Sequence, residues 1–449
     1  MGDSGVRIAV VGAGIAGLSA AWLLSRRYDV VLFEKDERVG GHANTVDVRE
    51  AGGNVAIDTG FIVYNTACYP NLIALFAQLD VPVAETGMSF SVSIDGGRYE
   101  YNGNGVNGYF GQRSNLVSPR HWRMAAEISR FFAEASKLSA GADDPHLTLG
   151  QWLQERHYSP TFIERHILPM GAAIWSAPAH SIEDFPAHSF ARFFANHGLL
   201  QMRDRPQWRT VRGGSREYVS RLVSQFKGRV AMGDGAQSIS RHGEGVSIRT
   251  VSGQTAVFDR CLMACHADTA LQLLSDASEH EQRLLGAFQY TRNAAVLHTD
   301  SRLMPRRRRV WASWNYAGLT EPGNDRGASV SYWMNKLQPL ATEHNYFVSL
   351  NQKAGIEPDK IIATFAYDHP VFDTAALRAQ KDLWSLQGQS KTWFAGSYFG
   401  FGFHEDGLQS GLAAAEELGD VRRPWRVEGE NGRLTFGDRG VPSLQAAAQ

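Results

Sequence analysis

Three glycines, Gly12, Gly14 and Gly17, stand at GxGxxG spacing between an apolar, β-prone run (Ile8 to Val11) and a helix-forming run opening at Ile15 and Ala16. Each glycine serves a separate physical need, namely a tight turn, close approach of backbone to a pyrophosphate, and close packing of helix on strand. The helix start adds unpaired N–H groups and a positive dipole end. Glu34 closes the next apolar run, Asp29-Val30-Val31-Leu32-Phe33, where its carboxylate can accept hydrogen bonds from ribose hydroxyls. The chemistry indicated is dinucleotide binding; the plainer alternative is a chance glycine turn. Two imidazoles stand where they could move a proton. His404 closes Tyr398-Phe399-Gly400-Phe401-Gly402-Phe403, and His197 lies in Phe193-Phe194-Ala195-Asn196-His197-Gly198. Imidazole titrates near neutrality; the plainer reading of each is a histidine that orders its loop.

The elements that must position these groups follow from periodicity. Val230 to Met232, Val246 to Val251 and Arg260 to Ala264 read as strands, the last running into Cys265-His266-Ala267-Asp268. Asp268 is the natural N-cap for a helix Thr269 to Leu274. Arg123 to Ser139 has helical periodicity, and Leu149 to Glu155 and Pro160 to Ile167 look like further helices. Ala295 to Thr299, Val330 to Trp333 and Ile361 to Tyr367 look like strands. Trp175, Phe185, Phe190, Phe193, Phe194 and Trp208 enrich one region in aromatics. They could wall an apolar tunnel or simply fill a helical core.

After Glu34 come Lys35 and then Arg38-Val39-Gly40-Gly41-His42. This second glycine turn resembles the extended FAD fingerprint of the amine oxidase and phytoene desaturase superfamily. The resemblance continues at Asp58-Thr59-Gly60-Phe61, at Arg212-Gly213-Gly214-Ser215, and at Ala395-Gly396-Ser397 followed by Asp406-Gly407-Leu408. It implies noncovalent FAD, with the Arg38 side chain on phosphate and His42 either on a phosphate or ribityl oxygen or holding its own turn. It also implies a C-terminal helix whose N–H groups face the flavin. Where that family often has Ala-Gly-Glu, this chain has Ser397, so Asp406 is expected to take over the ribityl contact. Lys336 enters as a third catalytic candidate because many amine oxidases keep a lysine near the flavin, although Trp333-Met334-Asn335-Lys336 matches that pattern weakly. The strings Gly41-His42-Ala43-Asn44-Thr45, Met88-Ser89-Phe90, Ala173-Ile174-Trp175-Ser176, Asn196-His197-Gly198, Ser331-Tyr332-Trp333-Met334-Asn335 and Gly402 to Gly407 further resemble a bacterial subgroup of such flavoproteins. That subgroup is similar to partners of cyclopropane-fatty-acid-synthase-like methyltransferases, and one branch is implicated in fatty acyl desaturation. The implied fold is α/β: a glutathione-reductase-type FAD-binding domain over 1–95, 205–270 and 385–425, an interleaved α+β substrate domain over 96–204 and 271–384, and a peripheral tail over 426–449.

Composition narrows the classes. Lys plus Arg number 45 against 46 Asp plus Glu, which argues against a general nucleic-acid binder. Three cysteines make no disulfide framework and suit a reducing cytoplasm. Cys261, Cys265 and His266 have no second pair at metal spacing, so no metal is expected. No signal segment is expected before a nucleotide-binding strand that starts by about residue 7. Leu303 to Trp311 places Arg306, Arg307, Arg308 and Arg309 between apolar residues; it is either a solvated turn or a dock for anionic lipid headgroups at the inner face of a membrane. The leading expectation is an oxidoreductase that moves hydride from a hydrophobic substrate to flavin N5, with acyl desaturation first and amine oxidation second. A non-catalytic FAD module assisting a lipid-modifying methyltransferase is the alternative from another class.

Overall fold

A computed structural model describes residues 5–141, 147–175, 179–201, 205–318, 329–352 and 355–437. Strand β1 (Arg7–Val11), helix α1 (Ile15–Leu24) and strand β2 (Asp29–Glu34) form the opening unit. Four of the five residues in β1 are buried, and so is all of α1, because both faces of a parallel sheet are covered. The sheet is wholly parallel, in the order 229–232, 29–34, 7–11, 260–263, 392–394. A three-stranded antiparallel layer (236–241, 246–250, 255–258) continues from its edge strand. The C-terminal helix His404–Gly419 packs along α1. Gly411 permits the contact: a Cβ there would stand 2.3 Å from the Ala16 carbonyl oxygen.

The second body is a seven-stranded mixed sheet in the order 361–371, 289–298, 347–350, 329–333, 314–318, 90–94, 99–102. Its strands pair antiparallel except 314–318 with 90–94. Helices Pro119–Ala140, Leu149–Glu155 and Ala187–Asn196 cover it with an aromatic core that includes Phe131, Trp152, Phe162, Phe190 and Phe194. The α/β class and the parallel nucleotide-binding sheet agree with the sequence reading.

Several local expectations are corrected. The strand Phe90–Ile94 belongs to the seven-stranded sheet, so the first domain boundary lies before residue 90 rather than at 95. Helices Ala267–Leu273 and Thr374–Asp382 pack into the core of the parallel sheet, not into the substrate domain. His266, not Asp268, is the N-cap of the former, and Asp268 lies in its first turn. Pro160 to Ile167 is helical as expected, a short α-helical turn passing into a π turn, Ile163–Ile167, and on into the helix Leu168–Trp175. The tail is docked through residue 437: Leu434 and Phe436 are buried, and Arg423 is enclosed against Glu416. Ser176 and residues 438–449 lie outside the described residues. Among the described residues no helix is long and apolar enough to cross a membrane.

Candidate cofactor and substrate site

The glycine turn has the geometry its spacing implies. Gly12 sits at φ +102°, and its N–H donates to Phe33 O. A Cβ on Gly17 would lie 1.8 Å from Gly12 O, so only glycine lets the helix leave the turn this closely. A Cβ on Gly14 would meet nothing within 4 Å. Gly14 has no side chain to cap α1, so the first N–H groups of the helix, at Ile15 and Ala16, have no side-chain partner at this end. Glu34 is buried; its Oε2 accepts from Ala13 N at 2.8 Å and its Oε1 from Asp36 N at 3.0 Å. The carboxylate is thereby locked at the tip of β2, beside the turn. Lys35 points outward and pairs with Asp36. Val230 lies in the edge strand, in register with Leu32.

The distant segments converge here. Gly40 (φ +111°) and Gly41 (φ +57°) fold the second glycine turn over the first, so that a Cβ on Gly41 would stand 3.1 Å from the Gly14 Cα. Gly60 passes under His42, whose carbonyl accepts from Phe61 N at 2.7 Å. Thr59 Oγ1 lies 2.8 Å from the Tyr367 hydroxyl. Gly407 brings the C-terminal helix onto Ile15, beside the Ser397 N–H. Gly396 is held through Ser410, and Leu408 is fully buried behind it. The two ends of the chain therefore meet at the start of α1.

Two expected ligand roles are corrected. Arg38 donates to Gly41 O at 2.7 Å and to Ala43 O at 3.3 Å, so its guanidinium braces the second turn instead of reaching for phosphate. Asp406 is fully buried; Oδ2 accepts from Phe403 N at 2.8 Å and Oδ1 faces Arg433 at 3.3 Å. It caps its own helix and is spent there, so it does not replace the family's ribityl acid. His42 is the opposite case: its buried Nε2 has no partner. An uncapped helix end, an open flank at Gly14, a fixed carboxylate and this orphaned imidazole nitrogen are the groups an FAD would use, and they fit it.

Rings the sequence reading passed over surround His42. Tyr367, His369 and His266 have centroids 5.0, 5.5 and 6.5 Å from it, and His266 stacks on Tyr290. Burial holds His42 well below the usual imidazole range and pushes His369 down to about 4. Among the described residues no group of side chains is placed to hold a metal. Asp58 is a second unforeseen hub. It accepts from Thr45 Oγ1, Ser215 N, Ser215 Oγ and Gln338 Nε2, all within 2.9 Å, so one buried carboxylate ties three segments to the floor of the site.

The proton-transfer candidates separate. His404 is stacked on Phe61 (3.9 Å, 8°), and its Nε2 is 2.6 Å from the Tyr218 hydroxyl. Burial lowers its pKa to about 3. Its Nε2 is committed to Tyr218 and its ring face to Phe61, which supports a role in ordering the loop over one as a general base. In the unfolded chain it titrates near 6.5, so its contribution to stability is complete above that pH and is lost as pH falls toward 3. Thermal melts of His404→Gln are therefore expected to fall less steeply between pH 6.5 and 4 than those of the parent; equal slopes would contradict the burial. Lys336 lines a surface cavity with Arg113 and Arg309 and is also removed as a catalytic candidate. His197 remains. Its Nδ1 is 2.9 Å from Phe193 O, and its buried Nε2 has no partner beside Phe193 and Phe403. That wall extends through Trp175, 4.7 Å from Phe193, and Phe401, 6.0 Å away.

Comparison with known proteins agrees with this geometry. A Mycobacterium tuberculosis protein named as a putative flavin-containing monoamine oxidase, AofH, is 26% identical over 262 residues, which are 56% of this chain and 54% of that one. The chain thus spans about half the length of the curated relatives it matches. Two solved structures share the fold. A fatty acid isomerase from P. acnes superposes with TM-score 0.63 at 15% identity, covering 91% of this chain and 97% of that one. A cyclohexylamine oxidase from Brevibacterium oxydans gives 0.64 at 15%, covering 92% and 99%. The profile of the flavin containing amine oxidoreductases matches residues 15–339, so the chain belongs to that FAD-carrying family.

Proposed function

We propose that the protein is an FAD-dependent oxidoreductase that desaturates a fatty acyl or similar hydrocarbon substrate carrying an anionic head. The observation behind this reading is the character of the wall beside the cofactor segments. Phe193, Trp175 and Phe403 are apolar, and Phe401 is flanked by two guanidinium groups, Arg192 at 5.6 Å and Arg433 at 5.3 Å. The neighbouring acids are already committed: Glu405 accepts from Asn71, Leu72 and Gln409, and Asp406 is held as described. Arg433 is itself paired with Asp406, so the charge this wall offers is that of the exposed Arg192, which attracts a carboxylate and repels an ammonium group beside a hydrocarbon surface. Phe61 and His404 are in ring contact, which leaves no open aromatic cage between them.

When bound, FAD supplies the two-electron acceptor that carbon–carbon oxidation requires. The chain's own part is to lay the acyl segment against the part-buried Phe401 and Phe403, backed by the buried Phe193, to exclude water with these rings, and to pair the head with Arg192. Desaturation also releases a proton from the adjacent carbon; the unpartnered nitrogen nearest this wall is His197 Nε2, which burial keeps neutral, so it accepts that proton only where the bound substrate offsets the burial.

Amine oxidation is the second reading, and family membership is what favours it. Anaerobic mixing of the FAD-loaded protein with fatty acids and with a panel of primary amines distinguishes the two. Bleaching of the flavin by fatty acids, with Arg192→Glu raising their KM by about tenfold or more, is the expected result. Reduction by amines alone would eliminate the desaturase reading.

A further inference from the structure

The arginine segment, expected to carry its own apolar anchors, does not do so. Met304 and Val310 are buried, Arg307 is tied to the buried carboxylate of Glu100, and Arg308 lies over Trp311 at 3.7 Å. Arg309 instead faces a cavity of about 350 Å³ that it lines together with Arg113, Lys336, Asn102, Asn104 and Asn107. Three cations line it with no acid among the lining residues, while the Asn102 amide is committed to the backbone of Val310, Trp311 and Asn104. The Arg113 guanidinium is aimed by bonds to Asn107 Oδ1 at 3.0 Å and Phe110 O at 3.2 Å. The cavity has the size and polarity for a phosphate-bearing group.

Apolar side chains project from the same stretch of chain. Val106 is 76% exposed, Leu116 47%, Val117 84% and Trp122 52%. They account for four of the nine large exposed apolar residues among those described, yet fall within seventeen residues of sequence. Their arrangement is fixed. The Trp122 indole donates to Leu116 O at 2.9 Å, its ring lies 4.8 Å from Phe110, and the helical turn Gly105–Tyr109 packs on Arg308–Val310. Arg120 and Arg123 are exposed in the same stretch, with Glu127 paired to Arg123. Ordered apolar prongs on the stretch of chain that also supplies Arg113 to a cationic cavity match an interface with headgroups outside and acyl chains beneath.

We infer that the face built from residues 105–123 and 305–311 docks on an anionic phospholipid bilayer, with a lipid phosphate seated among Arg113, Arg309 and Lys336 and with Val106, Val117 and Trp122 inserted around it. This goes beyond the proposed reaction and is independent of it, because the readout is partitioning and not turnover.

The test is co-sedimentation of the FAD-loaded full chain with phosphatidylcholine vesicles and with mixed phosphatidylcholine–phosphatidylglycerol vesicles. Retention on the mixed vesicles, falling as salt rises, is expected. One basic residue near such a surface changes partitioning by about fivefold, so Arg113→Gln, Arg309→Gln and Lys336→Gln together are expected to cost on the order of a hundredfold. Trp122→Ser with Val117→Ser should also lower retention and abolish the blue shift of tryptophan fluorescence. These residues lie apart from the cofactor segments, so unchanged flavin absorbance checks that each variant is folded. Equal retention on both vesicle types, or an unaffected triple variant, would overturn the inference. So would absence of vesicle binding together with stabilisation by inorganic phosphate that the triple variant loses, because the site would then serve a soluble anion.

Discussion

Alanine at Gly14 leaves the fold intact and removes FAD binding, whereas alanine at Gly17 destroys the fold. The two positions are three residues apart on one turn, and their surroundings differ in kind. Gly14 has φ −73°, which any residue adopts, and a Cβ there meets no heavy atom within 4 Å. The added methyl takes up open space next to the uncapped N–H groups that start α1. A phosphate would lose its approach to two charge-assisted hydrogen bonds, weakening FAD binding by about a hundredfold or more. At Gly17 the same methyl lands 1.8 Å from Gly12 O and 3.2 Å from the Ala264 Cβ. Backbone must move, and a penalty above about 3 kcal/mol is expected. Flavin fluorescence quenching gives the affinity and thermal melts of the FAD-free chains give the stability. Gly14→Ala binding FAD as tightly as the parent would show that the open flank is not the phosphate site.

The second large effect lies at Arg423. Its side chain is fully enclosed and makes paired bonds to Glu416 (Nε to Oε1 and Nη2 to Oε2, both 2.8 Å), with further bonds to Asn71 Oδ1 and Glu430 O. These contacts join the C-terminal helix, the helix Pro70–Gln78 and the tail. Replacing Arg423 with methionine leaves the buried Glu416 carboxylate with the half-exposed Arg422 as its one remaining cation among the described residues, a loss of about 3 kcal/mol. Pairing it with Glu416→Gln is expected to restore part of that loss, because the under-compensated buried charge is gone while Arg422 keeps Glu430 as a partner. Melting temperatures of the two single variants and the double variant measure this. Simple additivity would mean that the residues do not act as a pair.

What was legible in the sequence is what is local. Gly12, Gly14, Gly17 and Glu34 lie in one strand–turn–helix–strand unit, so spacing alone fixes their geometry. The second turn at Gly40 and Gly41 follows directly, and the resemblance placed Gly396 and Gly407 near it. What was not legible depends on register between distant segments. His266 and His369 reach His42 only because strands 260–263 and 361–371 end near one another. Asp58 looked like one residue of a cofactor loop, and its role comes from Ser215 and Gln338, which are 157 and 280 residues away. His404 looked like a base because sequence shows residue type and not enclosure; stacking on Phe61 and burial take that role from it. The same blindness made Met304 and Val310 look like membrane anchors, while the prongs that are exposed, Val117 and Trp122, drew no notice.

Titration of the purified FAD-free chain with FAD, followed by absorbance and calorimetry, tests the central claim most directly. Stoichiometric uptake with a bound-flavin spectrum, lost in Gly14→Ala and retained in Lys336→Gln, is the predicted result. A folded chain that takes up no FAD, or that binds it equally well with a methyl at position 14, would contradict the account.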